Sequence, residues 1–420
     1  MISTIKKHRK KIYYSLLVVI GIAMIFFSIN KTEKNIDIGS DYFVFWKAGV
    51  DFFEGNDLYD PIEGARDYIY PPFAAFLFQI LAIFPLKVSA NIFLLSNVFV
   101  LLPLAIIILI RICKTLNLSE DQYKIPVILT VVFSLKYFWN NLITYQVNFL
   151  LLTITLLGIY YFFKNKPVAS VIILAIAASI KIIPVVILGF VVVYHWKKIK
   201  VWIAASGTVL LCFLIPFLIK GWQVYVNYYE FFLKKAQNQA AEGLISYTNH
   251  SLMAFIVKLI APETINKSVG SEIMEQAAFY RNIILLGLII LISAVIIISI
   301  RRKNNITNLF VFAILFCFTH LVSTITWTAH LVTFMYILLP LFLTQREFVR
   351  LKWEKIFIYL LIIIAFFLGI EGSDTTGKLL YNVLRTYDIF TLYLIVVLLY
   401  YSGKIFFSKD LKQNRLSRVY

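Results

Sequence analysis

Long uninterrupted runs of apolar residues alternate with short lysine and arginine clusters along almost the whole chain, and none shows the strict alternation of a half-buried strand. The runs fall at about 12–29, 89–112, 125–140, 147–163, 167–181, 182–196, 201–219, 282–300, 306–322, 330–344, 356–371 and 388–405, which predicts twelve membrane helices. Several approach the ~20 residues that span about 30 Å of hydrocarbon. In lipid, backbone amides must be paired within a helix or a closed barrel, and runs without alternation leave only the helix bundle. The expected fold is an all-α polytopic membrane protein, a single domain over 1–420. It has a first extracytoplasmic loop at 30–88, a second large one at 220–281, and extracytoplasmic amphipathic helices in the second.

Two segments test the count. Pro72 to Phe84 is apolar but short and stops at Pro85, which predicts an interfacial or re-entrant helix rather than a crossing. The 167–196 run carries Lys181 and Pro184 in its middle and reads either as one tilted helix or as two short ones. Two is the reading adopted, because Lys164 and Lys166 then share a side with Lys197, Lys198 and Lys200.

Composition sharpens the picture. Sixty per cent of residues are hydrophobic and mean hydropathy is +0.83, beyond the range of soluble domains. The net charge of +18 is spread over loop clusters rather than one face, so it reports topology and not nucleic acid. Loops assigned to the cytoplasmic side collect 25 of the 40 basic residues, which puts both termini in the cytoplasm. The run from Ile12 to Ile29 follows five basic residues and has no small-residue cleavage site after it, so it reads as a retained signal anchor. Cys113, Cys212 and Cys317 sit in or at the ends of apolar runs and imply neither a disulfide framework nor a metal site. Residues 222–232 (WQVYVNYYEFF) suit helices lying on the bilayer surface, and no internal repeat of the transporter kind is visible.

Acidic residues concentrate elsewhere. Eight of the 22 lie between Asp37 and Asp67, interleaved with Phe, Tyr and Trp, in the loop after the first run. Asp41 stands among Tyr42, Phe43, Phe45 and Trp46. It fits either a helix cap for the segment that follows or a general base. Tyr70-Pro71-Pro72, with Arg66 before it, makes a rigid turn into the short apolar helix. Lys181 interrupts an apolar stretch, and such a lysine either snorkels to the headgroups or binds a phosphate. Arg281 is a second candidate for that work. His330 stands at the start of a span three residues after Trp327, and His320 ten residues before it makes a histidine pair conceivable without metal-ligand spacing. Gln146 and Asn148, and Asn249 with His250 and Ser251, put neutral hydrogen-bonding groups at other span ends, where they suit sugar hydroxyls or helix caps.

In order along the chain, DYFVFWKAG (41–49), GNDLYDP (55–61), YIYPPFAAFLFQILAIFPL (68–86), QVNFLLL (146–152), ASIKIIP (178–184), NHSLMAF (249–255) and STITWTAHLVTFMYILLP (323–340) resemble glycosyltransferase family 87. That family comprises polyprenyl-phosphate-sugar-dependent, mannosyltransferase-like membrane enzymes with the GT-C fold. The resemblance implies a GT-C-like bundle and transfer of a hexose or pentose, with inversion, from a polyprenyl-phosphate donor to a lipid or glycan acceptor at the outer face of a bacterial plasma membrane. It implies Asp41 as catalytic base. Lys181 would steady the leaving phosphate, helped by His330 or Arg281, and Tyr70, Gln146, Asn148, Asn249 and Trp327 would line the substrate site. Where many members read SPISWxHH, this chain has Ala329 in place of one histidine, leaving His330. No cofactor, metal or nucleic acid is expected, since Asp57 and Asp60 make no evident DxD pair. The competing reading is a transporter or lipid-linked-sugar flippase, which favours repeat symmetry and several ionisable groups within its spans.

Overall fold

In the computed structural model the described residues are 22, 25–27, 29–34, 36–238, 246, 248–264, 269–347, 352–370 and 387–407. Most of the first predicted span, and the basic residues before it, lie outside them. So do residues 371–386, between the last two predicted spans, and the basic tail after Phe407.

Helix α1 (Asp41–Glu54) turns Tyr42, Phe45, Ala48, Gly49 and Phe52 inward at helical spacing and ends on left-handed Gly55. It packs along α2 (Pro72–Ala82) as a helical hairpin. Gly49 makes that approach possible. A Cβ there would run into the Phe78 carbonyl and come 2.9 Å from Gln79 N. Gly49→Ala is therefore expected to destabilise the protein by about 1–3 kcal/mol through overpacking, read as a lowered unfolding temperature in detergent. Unchanged melting would contradict the packing.

Residues 86–115 form one continuous helical stretch in which α3 (Leu86–Ser96) passes through a π turn at Asn97–Leu101 into α4 (Leu102–Thr115). The cause is Pro103, which has no N–H to return to the preceding turn, so Leu102 N reaches back five residues to Asn97 O. The chain continues through α5 (Glu120–Ile143), α6 (Asn148–Phe163), α7 (Pro167–Ile180), α8 (Val185–Tyr194) and α9 (Ile199–Lys220). Then come α10 (Gln223–Asn238), α11 (Leu252–Ile260) and α12 (Ser271–Arg302). The last four are α13 (Asn305–Val322), α14 (Phe334–Glu347), α15 (Lys352–Ile370) and α16 (Ile389–Phe407). The centre is the hairpin of α13 and α14, whose residues are almost all buried, with α5, α6 and α16 against it. The α9 and α12 faces are largely exposed to the surroundings, as lipid-contacting helices are.

Among the described residues, 7 helical stretches are long and apolar enough to cross a membrane, against the twelve crossings predicted. The shortfall is partly physical. α6, α7 and α8 have 16, 14 and 10 residues, too short to cross ~30 Å of hydrocarbon upright. The 167–196 run is two helices, broken where Lys181 takes an extended conformation before Pro184.

Candidate active site

Asp41 does not cap α1. The cap is Ser40, one residue earlier, whose hydroxyl accepts the Phe43 N–H at 3.3 Å. That frees the Asp41 carboxylate, in the first turn, to face two other partners. Arg66 Nη1 pairs with Oδ1, and Gln146 Nε2 donates to Oδ2 at 2.6 Å. Gln146 is delivered by the tight turn between α5 and α6, where Tyr145 takes a left-handed conformation (φ 53°) and Asn141 holds the Gln146 carbonyl at 2.9 Å. Bulky residues seldom adopt that conformation, and Tyr145 is held in it by burial and a 2.8 Å bond between its hydroxyl and Thr32. The Asp41 side chain keeps 18 % exposure, enough to be reached by a substrate, and its Arg66 partner is 67 % exposed.

Below the carboxylate lies an aromatic floor. Tyr70 packs on Phe45 and Tyr68, and its carbonyl accepts the Tyr59 hydroxyl at 2.9 Å. Burial, and then the charge of Asp41 nearby, push the Tyr70 phenol above its ordinary range, so it stays protonated. Lys181 reaches this floor from the break between α7 and α8. Its Nζ stands 5.4 Å from the Tyr70 ring centroid and donates to Asn148 Oδ1 at 2.8 Å. It also lies 3.3 Å from His330 Nε2. His330 sits on a 3₁₀ turn (Thr328–Thr333) that leads into α14, and its Nδ1 accepts the Trp327 N–H at 3.2 Å.

Of the residues singled out in the sequence, Tyr70, Lys181, Asn148 and His330 thus form one contacting set, Asp41 and Gln146 a second, and the Asp41 carboxylate lies near enough for its charge to act on Tyr70. Trp327 joins through its backbone. Arg281 stands apart, its Nη2 donating to Val322 O at 3.2 Å beside the turn that follows α13. Asn249 is fully buried with its amide committed to the backbone: Oδ1 accepts from Ser251 N at 3.1 Å and Thr326 N at 2.9 Å. It braces the turn rather than facing the site. His320 bonds Thr333 at 2.6 Å and does not bond His330. Asp57 spends its oxygens on Tyr59 N and Asn227, so it is tied into the fold.

Two groups escaped the sequence reading. Arg66 looked like part of the turn, and only the structure shows it on Asp41. Lys258 and Asp388 form a buried pair with His250; a lysine in the otherwise apolar LMAFIVKLI was the available signal. Burial alone would raise the Asp388 carboxyl, but His250 at 2.8 Å, Lys258 and Thr391 outweigh it and hold it below the usual carboxylate range.

A multi-helix membrane protein that brings a reachable carboxylate near a half-buried ammonium has the makings of an enzyme. The sequence model of glycosyltransferase family 87 matches residues 68–324, more than half of the 420, and the chain belongs to that family of membrane glycosyltransferases. The match takes in Tyr70, Gln146, Asn148, Lys181 and Asn249, while Asp41 lies well before its start and His330 shortly after its end. No curated protein and no solved structure matches the chain.

Proposed function

We propose that the protein transfers a mannose-like hexose or a pentose from a polyprenyl-phosphate donor to a lipid or glycan acceptor at the outer face of a bacterial plasma membrane, with inversion. The observation that carries this reading is the approach of the Lys181 ammonium to the His330 ring with no acceptor between them among the described residues. Trp327 N–H occupies His330 Nδ1, so in the neutral imidazole the proton resides on Nε2, and that N–H faces an ammonium 3.3 Å away. Lysine has no lone pair when charged. Two donors converging in this way suit an anion that accepts from both, and a phosphate oxygen is such an acceptor.

In the reaction, the acceptor oxygen attacks the anomeric carbon while the bond from that carbon to the phosphate oxygen breaks. The acceptor proton passes to Asp41, and the bonding pair leaves on the phosphate, where Lys181 and the His330 N–H meet the new charge. Arg66 must leave the carboxylate for this. Its exposure makes that inexpensive, since exposed ion pairs are worth only about 0–1 kcal/mol. Gln146, donating to Oδ2, fixes the carboxylate while Oδ1 takes the proton.

A lipid donor also needs a place for its chain. Four residues past Lys181, α8 begins, and Val185, Leu188, Gly189 and Val192 face Trp202, Val209 and Phe213 of α9 across an apolar groove of ≈ 580 Å³. A cation four residues before the first lining residue of the groove, and the groove's hydrocarbon walls, suit an anionic head with an isoprenoid tail. Gly189 looks into open space, so Gly189→Trp should fold normally and fill the groove. It is expected to raise KM for a long-chain donor roughly tenfold with kcat little changed, as loss of uniform binding does; an unaltered KM would place the tail elsewhere.

The reading is tested by reconstituting the protein in proteoliposomes with labelled polyprenyl-phosphate hexoses and pentoses and following release of polyprenyl phosphate. Release accompanied by a glycosylated acceptor supports it. Movement of intact lipid-linked sugar across the bilayer without release would establish the flippase instead.

A further inference from the structure

Asp388 lies at the entrance to α16, far in sequence from every residue of the candidate site. It is fully buried, and each oxygen has two partners. Oδ1 accepts from His250 Nδ1 at 2.8 Å and Thr391 N at 3.3 Å, and Oδ2 accepts from Lys258 Nζ at 3.3 Å and Thr391 Oγ1 at 2.9 Å. Capping α16 would need only the Thr391 N–H. Burying a lysine beside the carboxylate costs desolvation that well-packed apolar residues would avoid.

Further bonds of Lys258 and His250 show where the network leads. Lys258 Nζ also donates to Asn249 O at 2.7 Å, and His250 N donates to Thr326 O at 2.8 Å. Asn249 makes an isolated antiparallel bridge with Trp327, and its side chain holds Thr326 N. Trp327 N is the donor that occupies His330 Nδ1. A continuous set of hydrogen bonds therefore runs from Asp388 through Lys258 and Asn249 to the Thr326–Trp327 backbone, and from there to the imidazole that faces Lys181.

We infer that Asp388 is a positioning residue: by anchoring Lys258 and His250 it aims the Trp327 N–H at His330 Nδ1 and so keeps the His330 proton on Nε2, toward the phosphate. This rests on the reading of Lys181 and His330 as the phosphate site. Without the brace, Trp327 N–H can drift from the ring, and His330 can hold its proton on either nitrogen. The Nδ1–H form would turn a lone pair toward the leaving phosphate and repel it.

The test uses the full-length protein in lipid nanodiscs with a polyprenyl-phosphate hexose, and histidine ¹⁵N spectra in which His330 is assigned by comparison with His330→Asn. Asp388→Asn alone strands Lys258 as a buried charge, so the main variant is Asp388→Asn/Lys258→Met, which removes both charges. Thr391→Val is the milder companion, deleting one hydroxyl and leaving the ion pair. Both are expected to move the His330 spectrum from a single Nε2–H pattern toward a mixture of tautomers. Both should lower kcat at similar donor KM, by about tenfold in the double variant, the low end of the loss seen when the outer partner of a metal-binding histidine is removed, and by less in Thr391→Val. A purely structural network would lower the unfolding temperature while kcat per folded molecule and the His330 spectrum stayed as in wild type, and that result would overturn the inference. Where the double variant does not accumulate, the Thr391→Val spectrum decides in the same way. If wild type transfers no sugar, the reading of the site fails by itself; the His330 spectra still decide whether Asp388 sets the tautomer.

Discussion

Asp41→Asn is expected to cut sugar transfer by about 10³-fold, within the 10²–10⁴ that a positioned general base contributes, with the protein present at wild-type level. The geometry separates chemistry from folding at this position. The carboxylate is not the cap of α1, so its loss leaves the Ser40 bond to Phe43 N in place. Its ion-pair partner Arg66 is 67 % exposed and remains solvated when the pair is broken. The one bond that changes character is to Gln146, whose amide can meet the neutral Asn oxygen as it met the carboxylate. Donor binding should persist, because Lys181 and His330 are untouched, and the defect should fall on kcat rather than on KM. Release of polyprenyl phosphate from labelled donor in membranes, normalised to protein, is the measurement. Turnover near wild type would remove Asp41 from the reaction.

Much of the architecture was visible in the chain because hydrophobic periodicity and prolines act locally. The break at Lys181–Pro184 is an example: proline cannot continue the helix, and the structure divides the run there. The Ser40–Asp41 pair shows where local reasoning fails. Both residue types cap helices well, and only the actual register of α1 decides that serine caps and aspartate is left for the site. The number of crossings was less legible, since apolar length does not distinguish a short helix held by its neighbours from one that spans lipid, as α6, α7 and α8 illustrate. Contacts across long separations left no trace at all. Gln146 reaches Asp41 over 105 positions and Asp388 reaches Lys258 over 130, and no spacing rule connects such pairs. Gln146, Asn148 and Asn249 looked alike as neutral groups at span ends. The fold separates them, Gln146 onto Asp41, Asn148 onto Lys181 and Asn249 into a backbone brace.

Lys181→Met should produce the second large effect. The methionine keeps an unbranched apolar stem against Tyr70 and removes the charge, so the α7–α8 break, set by Pro184 and the backbone, should survive. Removing one preorganised donor from a group that bears transition-state charge costs on the order of 10²–10³ in kcat. Here the donor also meets the ground-state phosphate, so donor KM should rise alongside the fall in kcat, unlike the kcat-only signature of Asp41→Asn. Lys181→Arg should rescue poorly, since a planar guanidinium cannot take the place of a compact ammonium set between Asn148 Oδ1 and His330 Nε2 at 2.8 and 3.3 Å. His330→Gln should cost less alone, because Lys181 still supplies the charge. The decisive measurement is the double variant. If the two groups serve one phosphate oxygen, the loss in Lys181→Met/His330→Gln will be well short of the product of the single losses, a coupling of contacting residues that a double-mutant cycle resolves. Strictly multiplicative losses would mean that lysine and histidine serve separate parts of the substrate, and the shared anion site would have to be abandoned even if each residue proved essential.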